Sequence, residues 1–543
     1  MGKISKAIKT VKSNWNTAPE GSYVPYKEIV SYSVGGMGVY FITAIVGMIG
    51  LSAGSMIVGA SIGITAMDLQ TMNVITTIVM LLIAPTRAML FDNTKSKMGK
   101  FRPYIMTLGL PTAVIGTVFV YLPYETMEYK EKLIAVFVCY TLLQFFSPFY
   151  SSAYSGLVQV MSANSKERSW IIEISSIIYS FAPTVINPVM PLIGPLDDMK
   201  TYRIGFPIFC TIGVIISMLC VFGTKERVIA PKQYVQKMGF FEGLKKVSHN
   251  KYFWIINISQ WVTFLSQGYG YIFQWIFYYG MNNPAIYSIM TVIKGEAYTP
   301  GMVAAAPLTN KLGKKKVCLI SLSIQVVCLC LMMFLYKNYV LLFVCIFIKE
   351  MVGAVSIIYL PAMKADMMDY QQYKTGDRLE GFIEQGGILI GSVVTLVTGY
   401  FLPIVFRNYG LTNNYDDLYN EAFRTPLVRA VIIYAIFGTI LSIIPFLFYD
   451  LTEEKRKSMI NSLKIRAMFA DFESEDFDES KLSDLELVYE AEKVLNEYED
   501  YQTKQEKEKY ICAKILCDEV VKLKAENIDK WNRIEDQYKS IKA

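Results

Sequence analysis

Residues 316–336 read KVCLISLSIQVVCLCLMMFLY. After Lys316 this run contains no Asp, Glu, Lys or Arg through Tyr336. An α-helix needs about 20 apolar residues to cross a hydrocarbon core of about 30 Å. Backbone N–H and C=O groups find no water in hydrocarbon, so a run of this kind has to be helical there. The lysine triplet Lys314, Lys315 and Lys316 marks the end that meets water.

Runs of the same kind recur on both sides of it. Spans are expected at 28–52, 69–91, 102–123, 133–160, 169–193, 203–223, 253–279, 286–308, 316–336, 339–361, 382–406 and 427–449. The composition agrees. The chain is 53% hydrophobic and 18% charged, against about 45–50% and about 25% for soluble domains. The expected fold class is therefore all-α: a polytopic membrane protein of twelve transmembrane helices in two six-helix bundles, with a small helical carboxy-terminal region.

Charge sets the expected orientation. Lysine and arginine collect in alternate loops, among them Lys95, Lys97, Lys100 and Arg102, then Lys225 to Lys251, then Lys311 to Lys316, then Lys374 and Arg378. By the positive-inside rule these loops and both termini are cytoplasmic, in a plasma (inner) membrane. The expected organisation is an amphipathic amino-terminus (1–27), a six-helix bundle (28–223), a linker (224–252), a second six-helix bundle (253–450) and a charged helical tail (451–543). In the amino-terminus Ile4, Ile8, Val11 and Trp15 share one helical face, which suits either an interfacial helix or a solvated lysine-rich start. In the tail, Ser483 to Glu486 reads as a capping box, and Trp531, Ile534, Tyr538 and Ile541 recur at helical spacing. Two or three packed helices are expected there, serving either as a docking surface for a cytoplasmic partner or as a solubilising appendage.

Several function classes drop out. A net charge of +6 without an exposed basic domain gives no support for a nucleic-acid partner. The nine cysteines form neither a metal-type cluster nor a disulfide framework. The single histidine, His249, sits in a loop, so no Ser-His-Asp or histidine-rich zinc chemistry is available within the spans. No cofactor and no enzymatic activity are expected.

Two loops carry unusual local order. The first runs from Asp92 through Lys97, Gly99 and Arg102 to Pro103. The second runs from Asp366 and Asp369 through Lys374, Gly376 and Arg378 to Gly381. Each combines acids, bases and a turn glycine, and they occupy comparable places in the two halves. Either they are ordinary solvated loops, or they are charged gates that close the cytoplasmic side. These motifs, together with Asn164 to Arg168 and Pro307 to Lys316, resemble the glycoside–pentoside–hexuronide:cation symporter family of the major facilitator superfamily. The resemblance covers roughly residues 28–450. It implies twelve helices, alternating access and cation-coupled movement of sugars.

The resemblance also implies where the family's functional residues fall. The two acids of its second helix fall on Met80 and Ala84, that of its fourth helix on Ser151, and that of its first helix on Tyr40. The lysine of its eleventh helix falls on Ser392. Sodium needs several oxygen ligands, so family-type sodium coupling is not expected.

Polar and aromatic side chains remain as candidates for a substrate site. Gln260, Gln267 and Gln274 are seven apart, with Trp261, Tyr271 and Trp275 nearby. Ser147, Ser151 and Ser155 are four apart, beside Tyr150 and Tyr154. Rings, amides and hydroxyls suit a neutral polyhydroxy ligand, and they equally suit hydrogen bonding between helices. Charge appears instead in the second half: Lys294, Glu296, Lys349 and Glu350 lie deep in spans. Such residues mark ion or proton paths by default, although a static ion-pair network is the alternative. A Glu296–Lys349 pair is the first expectation, and Glu350–Lys294 the second. The expected function is a carrier of small sugar-like solutes. A non-transporting receptor or scaffold signalling through the tail, and a lipid or lysolipid carrier, are the alternatives.

Overall fold

The computed structural model describes residues 12–19, 22–52, 55–93, 96, 98–162, 165–227, 240–266, 268–376, 379–473, 477, 479–497 and 504–542. The first bundle contains α1 (Tyr26–Gly47), α2 (Ala66–Asn93), α3 (Arg102–Tyr121), α4 (Tyr129–Met161), α5 (Ser165–Tyr179), α6 (Phe181–Ile193) and α7 (Met199–Gly223). A linker helix, α8 (Phe240–Ser248), follows. The second bundle contains α9 (Lys251–Thr263), α10 (Tyr269–Gln274), α11 (Pro284–Glu296), α12 (Tyr298–Leu312), α13 (Lys314–Leu335), α14 (Tyr339–Ala354), α15 (Ser356–Thr375), α16 (Glu380–Thr398), α17 (Phe401–Asn408) and α18 (Glu421–Leu447). The tail contributes α19 (Glu453–Asp471), α20 (Leu485–Glu497), α21 (Lys504–Glu526) and α22 (Ile528–Lys542).

Among the described residues, ten helical segments are long and apolar enough to cross a membrane. Two further runs, Lys251–Gly280 and Pro284–Leu312, fall outside that set. The first is broken by a 3-10 turn at Phe264–Ser266 and a π turn at Trp275–Gly280. The second is broken at Ala297 and carries Lys294 and Glu296. Large apolar side chains such as Leu82, Val303 and Phe334 stand more than 70% exposed on the outside of the bundles. That surface suits lipid, not water.

Local chemistry explains where the helices start and how close they come. Asn250, Asn283, Asn338 and Asn420 each cap a helix by accepting backbone N–H groups. Pro284 sits in the first turn of α11, where its missing donor costs nothing. Helices α1 and α7 pack most closely where Gly38 faces Gly213 and Ser217. A Cβ on Gly38 would lie 2.3 Å from the Ser217 nitrogen, so only glycine fits.

Some expectations are corrected. The first span ends at Gly47, and 56–61 forms a separate π turn. The capping box expected at Ser483 does not form. A 3-10 turn covers Glu479–Asp484, the Ser483 hydroxyl donates to the Ser480 carbonyl, and Glu486 pairs with Lys542 instead. Among the described residues the tail has four helices, not two or three. Trp531, Ile534 and Tyr538 are buried in its core with Leu482, Val488 and Leu516, whereas Ile541 is exposed. Of the amphipathic amino-terminus, Ile4, Ile8 and Val11 lie outside the described residues.

Candidate functional site

The two bundles meet on the face opposite the linker and tail. There α11 packs on α6, and α17 packs on α2. Tyrosine hydroxyls stitch that contact. The Tyr278 hydroxyl accepts from the Leu196 backbone N–H at 2.7 Å and reaches Asp197 at 3.2 Å. Tyr419 donates to the other Asp197 oxygen at 2.9 Å. Tyr400 reaches Thr71 at 3.3 Å, and the Tyr415 ring packs on Gly59. On the linker and tail face, no hydrogen bond or ion pair joins described residues of the two bundles. Among the described residues, the bundles are thus bonded to each other on one side and not on the other.

The two charged loops sit on that second side, and their described residues bond within the same half or to the tail. In the first loop, the backbone N–H groups of Lys100, Phe101 and Arg102 all donate to the Glu226 carboxylate, at 2.6, 3.0 and 3.0 Å. Three donors at the start of α3 make an anion cradle, and Glu226 fills it. Gly99 has φ +108, and a Cβ there would lie 2.3 Å from the Glu226 carboxyl carbon. Arg102 donates to the carbonyls of Val221 and Met98 and does not reach the second bundle. Glu226 is the residue that sequence reasoning missed. Its signal was its place just beyond the sixth span, where it looked like ordinary linker.

In the second loop, Asp366 is buried, accepts a hydrogen bond from Lys314 at 2.6 Å and forms an ion pair with Arg456 at 2.8 Å. Asp369 lies 3.6 Å from Arg456. Lys374 is exposed, 6.0 Å from the Tyr370 ring centroid. The tail therefore supplies a base to the second loop. Arg466 strengthens the dock by donating to the Tyr373 carbonyl at 3.2 Å and to Glu519 at 2.8 Å. The Glu519 hydrogen bond holds the Arg466 guanidinium above its ordinary value, against the opposing effect of burial. At the start of the tail, burial raises the Asp450 carboxyl, but donation from Lys251 and Tyr252 outweighs it and holds the group below its usual range. Lys97 and Arg378 lie outside the described residues, as does the side chain of Asp92.

Tyrosines cluster inside the first bundle, with Tyr40 and Tyr179 half-buried at its surface and Tyr32 and Tyr154 buried. Tyr40 stacks on Tyr179 with centroids 3.9 Å apart and planes within 4°. Tyr32 stacks on Tyr154 at 4.5 Å, and Tyr154 meets the first pair edge-on. Tyr150 is not on this surface. It is fully buried, with its ring 3.1 Å from the Cβ position of Gly109 on α3, so it packs helices together. Ser147 lines a small cavity of about 90 Å³ with Thr43 and Gln144. Ser151 turns back to the Pro148 carbonyl at 3.1 Å.

In the second bundle, Gln260 and Trp261 line a cavity of about 130 Å³ with Asn257, Lys364, Met367 and Gly387. Gln274 lies beyond the break in the run, away from that cavity, and Gln267 lies outside the described residues. Tyr271 stacks on Trp275, which packs on Phe406. Gln260 and Gln274 therefore do not line one common cavity.

The deep charges also rearrange. Lys294 lies 3.7 Å from Glu350, and the Tyr298 hydroxyl donates to Glu350 at 3.0 Å. Lys349 does not meet Glu296. Its ammonium lies 3.7 Å from the Tyr269 ring centroid, a cation–π contact. Glu296 is exposed and accepts from Thr299 at 3.3 Å. The run breaks at Ala297, and Glu296, just before the break, is exposed. The cluster thus holds two ammonium groups and one carboxylate.

Residues 31–453 match the family described as MFS/sugar transport protein. The chain belongs to this family. Members of the MFS/sugar transport family are membrane transporters, not enzymes. The chain is similar to the uncharacterized symporter YnaJ of Bacillus subtilis (strain 168), with 23% identity over 432 residues, covering 74% of this chain and 88% of the other. It is also similar to a putative 2,3-dihydroxypropane-1-sulfonate exporter of Salmonella typhimurium (strain LT2), with 22% identity over 488 residues, covering 84% and 99%. A crystal structure of a D-xylose-proton symporter superposes with a TM-score of 0.52 at 12% identity, covering 79% of this chain and 97% of that one. That likeness shows the fold. The family match ends at residue 453 and leaves α19, apart from its first residue, and α20 to α22 outside it. At the positions that the family resemblance assigns to cation-site acids, Tyr40 is stacked on Tyr179 and Ser151 bonds its own helix. Ser392, where the resemblance places the family's lysine, donates to the Ile388 carbonyl.

Proposed function

We propose that this chain carries small sugar-like solutes across the plasma membrane by alternating access, with both termini cytoplasmic and without family-type sodium coupling. The observation that carries the reading is the asymmetry of the two faces. One face is sealed by tyrosine contacts between bundles, while the other leaves the bundles unjoined among described residues, which is the geometry of an inward-facing carrier. The surfaces available to a solute support the solute class. Tyr40 and Tyr179 offer ring faces, and Gln260 and Asn257 offer amides beside Trp261. Rings, amides and hydroxyls are what polyhydroxy compounds bind. The names of the relatives, a dihydroxysulfonate exporter and a xylose symporter, are of small hydroxylated solutes.

In this reading Asp366 and Asp369 exchange partners when the cytoplasmic side closes, and the Lys294–Glu350–Lys349 cluster takes the coupling role that acids of the first bundle have in the family. The test is uptake and counterflow in proteoliposomes, using labelled neutral sugars, glycosides and sugar acids. Saturable exchange of at least one class is the expected result. Movement of lysolipid with no exchange of any sugar-like compound would contradict it.

A further inference from the structure

The cavity between α9, α15 and α16 has one feature that a neutral ligand leaves unexplained. Lys364 reaches into it and makes no hydrogen bond or ion pair among the described residues. The other half-buried cations around it are all engaged. Lys314 holds Asp366, Lys315 donates to the Leu447 carbonyl, and Arg456 holds Asp366 and Asp369. Asp366 is only two residues from Lys364, but residues two apart on a helix do not share a face. Its carboxylate is turned to Lys314 and Arg456 instead. An ammonium that is half-buried without a partner carries an uncompensated desolvation cost.

The rest of the lining is arranged to hold something polar. The Gln260 amide has no partner among the described residues, so both its donor and its acceptor are free. Asn257 donates from Nδ2 to the Phe253 carbonyl at 2.8 Å, which keeps its amide fixed with the oxygen toward Gly387. Trp261 donates from Nε1 to the Gly387 carbonyl at 3.2 Å. A Cβ on Gly391 would lie 2.5 Å from that same indole nitrogen, so the ring is seated close on α16. Lys364 and Gln260 are therefore the adjustable groups, set against a fixed amide and a fixed ring.

We propose that this cavity is a subsite for an acidic group on the transported solute, with Lys364 as its cation and Gln260 as a second donor. This rests on the carrier reading above and narrows its substrate class to anionic sugar-like compounds, with a carboxylate or a sulfonate as the acid. Charge-assisted hydrogen bonds are about twice as strong as neutral ones. A bound acid offsets the desolvation of Lys364, which a neutral sugar cannot do. At about 130 Å³ the cavity takes the acid and adjoining atoms.

The test is equilibrium binding to the purified full chain, using glucose, glucuronate, galactose and galacturonate as probes. The wild type should bind each sugar acid about tenfold or more tightly than its neutral counterpart. Lys364→Gln should abolish that preference, bringing the acid down to the level of the neutral sugar, and Lys364→Arg should keep it. Equal binding of acid and neutral sugar by the wild type would overturn the subsite and leave the carrier reading intact. So would an acid preference that survives in Lys364→Gln. Failure of all four probes to bind the wild type would overturn the sugar-carrier reading and the subsite with it.

Discussion

The amino-terminal bundle brings its helices together over stacked tyrosines, and the carboxy-terminal bundle brings them together over charge. Around Tyr32, Tyr40, Tyr154 and Tyr179 the described side chains are neutral, and their contacts are ring faces and edges. Around Glu350 two lysines, two tyrosines and one carboxylate are locked in one cluster. Stacked rings can slide with small changes in energy. A buried ion network has few arrangements that leave no charge stranded. In the proposed carrier reading, the difference gives surface and tolerance to the first bundle, and discrete switching and charge recognition to the second.

The strongest way to break that contrast is Glu350→Gln. It leaves Lys294 and Lys349 facing each other without a carboxylate, and breaking a buried pair typically costs about 3–5 kcal/mol. A large fall in thermal stability of the purified chain is expected. Lys349→Met removes the surplus ammonium and should cost far less than Glu350→Gln. If the two substitutions are equally damaging, the cluster is not short of negative charge and the argument from charge count fails.

Next in size is Arg456→Ala. It removes a base from buried Asp366 while Lys314 remains, for an expected loss of about 1–2 kcal/mol. The same melting measurement, together with proteolysis of the tail, reads this out. Unchanged stability and an unchanged digestion pattern would show that the tail is not held through Asp366. Tyr179→Leu should cost about 0.5–1.5 kcal/mol, the size of one aromatic pair, and should weaken solute binding more than it weakens the fold. Glu296→Gln lies at the small end, within about 0.5 kcal/mol, because Glu296 is exposed. A large loss there would restore the Glu296–Lys349 pairing that the structure replaces.

Much of this was legible in the chain. The spans follow from uninterrupted apolar runs such as Val317–Leu335, and the family follows from the loops around Gly99 and Gly376. The breaks inside spans were not legible. Gly295 stands two residues before the break at Ala297 and Gly353 two before that at Val355, but a lone glycine inside an apolar run is tolerated in a helix, so neither marked a break. Partners distant in sequence were hidden too. Glu226 reaches Lys100 across most of the first bundle, and Arg456 reaches Asp366 from a tail that no periodicity connects to the gate. Tyr150 looked like cavity lining because helical spacing cannot distinguish a face turned to a neighbouring helix from one turned to a solute.

The central claim is that coupling and recognition have moved out of the family's cation site in the first bundle and into the charged second bundle. Its most direct test is initial uptake of a transported solute into proteoliposomes with sodium fully replaced by choline. The account predicts an unchanged rate in choline for the wild type. A large loss of uptake when sodium is removed would contradict it.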